Sequence, residues 1–428
     1  MLEEIKNERI GERCFKYTHK SGVTVYIAPM EGYSTVSARF AVRYGSQEGG
    51  WIDAEGREHK IPDGTAHYME HKLFESTEKD AFQLFAQTGA ACNAFTSYDM
   101  TEYHFKCTSN FAENLEILIG FVLDPYFTKE NVQKEMGIIS QEITMYLDNP
   151  EWQNLMELMK AAYSEIPVKT DVAGTVESIS EITPELLYEV YNTYYTPSNM
   201  ALLISGNVDV DEVVAVCEKC LPDRTSAEIG RVEYNEPRGV TCRRTESRGD
   251  VVKPLFSIGF KCAPLCGRAQ LRDNAYYDFL IGILFGDSSE WFSDNRRSGL
   301  INDNFSFSNI RFRGGCLQYI AGESDEPDKV YESVLSVIRE AKRTPPSRED
   351  FERVRKGYYG YNLRVFNNVE SYSRVLMDAA IYDNQPYDEM ETYAQASYDE
   401  FCEWLGQLDE NNSCLSIIRP EKETGDDL

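Results

Sequence analysis

Runs of β-branched and aromatic side chains among the polar positions mark residues 23–28 and 36–44 as strands, stopped by Gly45 and Ser46. A polar stretch, 47–63, reads as a loop. The pattern then changes to a helical period: after Pro62 and Asp63, Gly64 and Thr65 can open a helix whose apolar side is Met69, Leu73 and Phe74. Further helices are predicted near 80–87 and over 111–122, 128–147 and 151–163, with a strand pair within 91–107. A strand at 200–205, ended by Gly206 and Asn207, and a helix at 210–221 close the first half.

Residues 222–250 carry Arg, Glu, Gly and Thr with little apolar periodicity, which reads as a linker with room for one edge strand. The order of elements then repeats: a strand at 254–261, a helix at 268–285, a strand pair within 305–321 and helices at 328–344 and 348–365. DFERVRKGYYGYNL from Asp350 matches NVQKEMGIISQEIT from Asn131 in length, period and position. The expected fold is α+β, as two homologous α/β sandwiches, each an antiparallel-rich sheet with helices packed on it. The expected domains are 1–222 and 251–428, joined by 223–250.

The length of 428 residues fits two cores of about 200 residues each, and 42% hydrophobic content fills them. The N-terminus, MLEEIKNERIGER, alternates acids and bases, and the longest apolar runs (200–204 and 279–285) are too short to span a bilayer. A soluble cytoplasmic protein with no membrane partner is expected. Eleven cysteines at irregular spacing read as thiols of a reducing compartment. Cys217 and Cys220 with Cys262 and Cys266 make a poor four-thiolate set, because the first pair lies on the core side of a helix beside Val213, Val214 and Val216. A formal charge of -28 argues against a nucleic-acid partner; it suits a basic peptide, and it also simply favours solubility.

Candidate chemistry lies in GTAHYMEHKLFES, from Gly64 to Ser76. His67, Glu70 and His71 form a His-x-x-Glu-His set in a chain with five histidines, and positions i, i+3 and i+4 share one helical face. Two imidazoles one turn apart can grip a zinc ion while the carboxylate between them takes a proton from the water that the ion activates. The reversed order is the inverzincin pattern. The alternative is a solvated turn whose His and Glu merely pair with each other.

With duplicated α+β halves and HYMEH in the first, the chain resembles the pitrilysin/insulinase-type zinc peptidases, which include the mitochondrial processing peptidase. The likeness also runs through NAFTSYDMTEYHF from Asn93, EMGIISQEI from Glu135, FGDSSEWF, and GLINDNFSFS from Gly299. It is strongest to a bacterial subgroup of this length that works as paired, non-identical chains, each one half of a clamshell. The resemblance implies a zinc endopeptidase for short or unfolded peptides, with one Zn2+ per chain held by His67, His71 and Glu142, and Glu70 as general base. It places Glu135, seven residues before Glu142, in a steering role; an exposed helix acid is the alternative. It also implies that Asn93, Ala94, Phe95 and Thr96 form an edge strand that pairs with the substrate, although pattern alone equally allows a core strand.

Family members that act alone or as homodimers carry an Arg and a Tyr seven residues apart in the second half, which hold the substrate carbonyl. Here those places are Asn295 and Asn302, with Arg296 and Arg297 adjacent. A homologous partner chain is therefore expected to supply the Arg and Tyr in a heterodimer, with a homodimer as the other possibility. The rival function is a non-catalytic peptide-binding or scaffold subunit of a processing or modification complex.

Overall fold

A computed structural model describes residues 2–77, 80–223 and 228–421. It is an α+β molecule of two compact units, and both units draw on distant parts of the chain. Unit 1 comprises 1–143, 171–233 and 363–387, and unit 2 comprises 144–170, 234–362 and 388–428. The units thus cut across the contiguous segments 1–222 and 251–428.

Unit 1 is built on a seven-stranded sheet in the order Leu2–Asn7, Glu12–Thr18, Thr24–Pro29, Met200–Gly206, Val36–Val42, Thr101–Cys107, Ala91–Thr96. Every neighbouring pair is antiparallel except Thr24–Pro29 with Met200–Gly206. The central strands Val36–Val42 and Met200–Gly206 are buried along their whole length, because helices cover both faces. Unit 2 has five strands in the order Arg244–Gly249, Ser413–Pro420, Leu255–Lys261, Gly315–Glu323, Ser306–Phe312, again with only the first pair parallel. This repeats the last five strands of unit 1 in order and direction, so the duplication read from the order of elements extends to the sheet topology.

The helices after each repeat change places. Pro150–Ala162, from the first half of the chain, packs on Ser413–Pro420 and Leu255–Lys261 of unit 2. Its counterpart Val369–Ile381, from the second half, packs on Met200–Gly206 and Val36–Val42 of unit 1. Buried polar contacts fix the second of these: Arg39 Nε donates to Ser373 Oγ at 2.8 Å, and Arg39 Nη1 reaches both oxygens of Glu102 at 2.7 and 2.9 Å.

Most predicted elements are present near their expected bounds. Leu2–Asn7 and Glu12–Thr18, in the stretch of alternating charges, form an antiparallel hairpin. The Asn7 side chain accepts from the Arg9 and Ile10 amides, and Gly11 takes a φ of +75°. The loop 47–63 contains short strands Gly50–Ile52 and Glu58–Lys60, and Gly230–Arg231 of the expected linker joins them as a third. Part of that linker, 224–227, lies outside the described residues. The helices Pro184–Tyr194, Glu290–Ser298, Val369–Ile381, Asp388–Gln395 and Tyr398–Gln407 and the strand Ser413–Pro420 had no prediction. Among the described residues no helix is long and apolar enough to cross a membrane.

The Arg39–Glu102 pair is buried to within a few per cent on both sides, so removing one partner strands a charge. Arg39→Met should destabilise unit 1 by about 3–5 kcal/mol, and Arg39→Met with Glu102→Met should recover much of that. Urea unfolding followed by Trp51 fluorescence, with the other three tryptophans replaced by Phe, measures both.

Candidate metal centre

The helix Thr65–Leu73 begins where only glycine fits. Gly64 has a φ of +88°, and a Cβ there would meet the Ala173 carbonyl oxygen at 2.4 Å. Met69 and Leu73 are fully buried, and the Phe74 ring stacks on Phe82 and Phe121. Tyr68 Oη donates to the Val132 carbonyl, which ties this helix to Lys129–Leu147. On that second helix Val132, Ile139 and Ile143 face the core, while Glu135 and Glu142, two turns apart, face the His-x-x-Glu-His helix.

His67 Nε2 lies 3.6 Å from one oxygen of Glu142, and His71 Nε2 lies 3.5 Å from the other. His67, His71 and Glu142 offer donor atoms that all fall within 4.8 Å of one another, the one such cluster of three or more among the described residues. These separations are too long for good hydrogen bonds. They match donors around a shared tetrahedral ion, which at zinc–ligand distances near 2.0–2.1 Å sit roughly 3.3–3.4 Å apart. His71 Nδ1 donates to Glu135 Oε1 at 3.0 Å, which leaves the lone pair of Nε2 to face the cluster. The second oxygen of Glu135 takes Lys72 Nζ at 3.3 Å. Glu135 is buried, not an exposed helix acid.

Electrostatics separate the two imidazoles. Burial, reinforced by neighbouring His71, pulls His67 down to about 4, so it is neutral at pH 7 as a ligand must be. Burial lowers His71 as well, but the hydrogen bond and charge of Glu135, with Glu70 and Glu142, outweigh it and leave His71 raised. For Glu135 burial is outweighed by His71 and Lys72, and the carboxyl stays below its usual range. Burial raises Glu70, against the hydrogen bond from Thr96 and the charge of His71.

The segment 93–96 belongs to Ala91–Thr96, which pairs with Thr101–Cys107 on one side only and forms the edge of its sheet. Asn93 and Phe95 are exposed, Phe95 by 51%, while Ala94 is half-buried. Thr96 turns inward and its hydroxyl donates to Glu70 Oε2. Lys72 was not foreseen, although its signal was present: it shares the buried face of Met69 and Leu73, and a lysine there must find carboxylates. It is 0% exposed and bonds Glu75 at 2.8 Å in addition to Glu135. In unit 2, Asn295 and Asn302 are satisfied internally, Asn295 donating to the Trp291 carbonyl and Asn302 to Glu323. Arg296 and Arg297 pair with Asp303 and Asp294.

A two-histidine, one-glutamate donor set on a repeated α+β scaffold defines an insulinase-type arrangement, and comparison with known proteins agrees. Residues 51–176 match the model of insulinase (peptidase family M16), and 181–358 match that of the peptidase M16 inactive domain. The chain is 36% identical over 406 residues to the uncharacterized zinc protease YmfH of Bacillus subtilis, spanning 94% of this chain and 95% of that protein. It is 28% identical over 225 residues to a mitochondrial-processing peptidase subunit beta of Arabidopsis thaliana, 50% of this chain and 42% of that one. The crystal structure of an M16-like peptidase from Alicyclobacillus acidocaldarius aligns with a TM-score of 0.91 at 30% identity, over 97% of this chain and all of that chain. The protein belongs to the M16 zinc protease family.

The opposed shifts make a testable pair. With a raised folded pKa, His71 stabilises the metal-free fold below the ordinary value of 6.5, and that contribution is lost as pH rises through the raised value. His67 is depressed, so its contribution is present above 6.5 and is lost as pH falls toward about 4. Imidazole NMR of the metal-free protein, with the rings assigned, should show His67 titrating below 6.5 and His71 above it, and Glu135→Gln should lower the His71 midpoint.

Proposed function

We propose that this M16 protein is a zinc-dependent endopeptidase of short or unfolded peptides, acting in the cytoplasm. The observation that carries the reading is the convergence of His67, His71 and Glu142 on one point. Bound there, zinc would act as a Lewis acid and lower the pKa of water. Glu70 then serves as general base: it lies on the same helical face, and burial raises its proton affinity above that of an ordinary carboxylate. Thr96 orients the Glu70 carboxylate, and Glu135 orients the His71 ring. The open edge of Ala91–Thr96 pairs with an extended substrate, whose backbone hydrogen bonds tolerate many side chains.

The reading includes a split site. The carbonyl of the substrate needs positive hydrogen-bond donors as charge develops on it. Asn295 and Asn302 carry no charge, and their amides are spent within unit 2. A homologous partner chain therefore supplies the Arg and Tyr. The match of 181–358 to an inactive-domain model favours a second reading, a subunit that holds peptides without cleaving them.

Elemental analysis beside hydrolysis of a quenched fluorescent peptide library separates these. Wild type should bind one zinc per chain, and Glu142→Ala should lose it. Glu70→Gln should keep zinc while activity falls about a hundredfold or more. Adding the homologous partner should raise cleavage sharply; full activity alone with no gain on mixing would remove the split-site reading. Zinc without cleavage in every combination would establish the holding subunit.

A further inference from the structure

A cavity in unit 2 is lined by none of the residues of the candidate metal centre and has no part in the chemistry above. It has a volume of about 490 Å³ and opens where the first turns of Pro150–Ala162 leave one face of the five-stranded sheet uncovered. The register shows why it is hollow. Ser257, Ala321 and Ser306 stand side by side on neighbouring strands, so three small side chains share that face. Larger groups stand around them as walls: Trp152 from the helix, and Tyr319 and Glu323 from Gly315–Glu323.

The lining points to one kind of ligand. Its two ionisable carboxylates are Glu151 and Glu323, and among the described residues it contains no lysine, arginine or histidine. Asn302 Nδ2 holds one oxygen of Glu323 at 2.6 Å and thereby fixes the carboxylate at the rim. The floor is polar and built: Asn154 is 2% exposed, and its amide meets Ser257 Oγ at 3.0 Å. Two acids, two aromatic faces and a buried amide together suit a cation with a flat or alkyl body, through charge-assisted hydrogen bonds and cation–π contact.

We propose that this cavity is a second binding site that takes a guanidinium or alkylammonium group. The ligand is either a basic side chain of a peptide or a free polyamine. The cation-binding claim stands apart from the hydrolytic reading, and only the peptide source rests on it.

The test uses the full chain, with acetyl-argininamide and its neutral isostere acetyl-citrullinamide as probes. Calorimetry is run beside the fluorescence of a variant that keeps Trp152 as its only tryptophan. The expected result is saturable binding of the arginine probe with a change in Trp152 emission, at least tenfold tighter than the citrulline probe, and weakened about tenfold by Glu323→Gln. Gln keeps an acceptor for Asn302, so this variant should retain the fold. Equal binding of the two probes, no saturable binding, or no effect of Glu323→Gln would overturn the site. Spermidine binding more tightly than an arginine-containing octapeptide identifies a free amine as the ligand. The reverse order identifies a peptide, and KM for arginine-containing peptides then rises in Glu323→Gln with kcat retained. Glu70→Gln should leave probe binding unchanged, so failure of the hydrolytic reading and failure of this site give different results.

Discussion

The buried carboxylate of Glu135 is the contact on which the geometry of the candidate metal centre depends. One of its oxygens holds the His71 ring and the other holds the fully buried ammonium of Lys72, so a single side chain fixes the rotation of a donor and compensates a cation that cannot reach water. An uncompensated charge there would cost several kcal/mol. The sequence neighbours His71 and Lys72 are thus bound from one point on a second helix. Tyr68, three residues before His71, adds a hydrogen bond to the same helix at Val132. Three carboxylates, Glu70, Glu135 and Glu142, gather about two imidazoles, and Lys72 offsets only one of them. On the proposed reading a divalent cation offsets the other two.

The scaffold makes this precision affordable in a mostly antiparallel molecule. Each five-stranded repeat buries one face under its own helices and leaves the other to a helix drawn from the opposite half of the chain. In unit 1 that helix is Val369–Ile381; Arg39 of Val36–Val42 reaches it and also pairs with Glu102 of Thr101–Cys107, the strand next to the edge segment Ala91–Thr96. Polar groups packed so tightly between a sheet and a helix restrict the register of both. The edge strand, and the Thr96 hydroxyl that bonds Glu70, are held in place from behind.

Period and spacing made the local elements of this chain legible, and they made the helical face of His67, Glu70 and His71 legible too. Glu142 was different: it is one acid among 71, and family resemblance, not spacing, singled it out. The elements that escaped prediction share a physical reason. Leu2–Asn7 is an edge strand with mostly exposed, charged side chains, so it lacks the alternation that burial imposes. Ser413–Pro420 is buried on both faces over its first six residues, so its sequence, SCLSIIRP, carries no alternation of apolar and polar positions. The exchange of Pro150–Ala162 and Val369–Ile381 could not be read either, because an amphipathic helix shows that it covers a sheet but not which one.

The net charge of -28 invites a simple account in which acidity attracts cationic ligands everywhere, yet the structure argues for a local one. At physiological ionic strength exposed charges are screened beyond roughly 8 Å, so most of the surface acids act on little but their neighbours. Many are already paired, as Asp328 is with Arg244 and Arg419, or Asp303 with Arg296. Selectivity must come from carboxylates that are held in position and partly withdrawn from water, where the same charge is worth several times more. Glu135 and Glu142 meet that condition beside two imidazoles, whose nitrogen donors favour a transition metal over an organic cation. Glu323 is held by Asn302 among aromatic walls with no imidazole in the lining, which favours the reverse. On the proposed readings the same functional group serves two different cations, and the distinction lies in its neighbours.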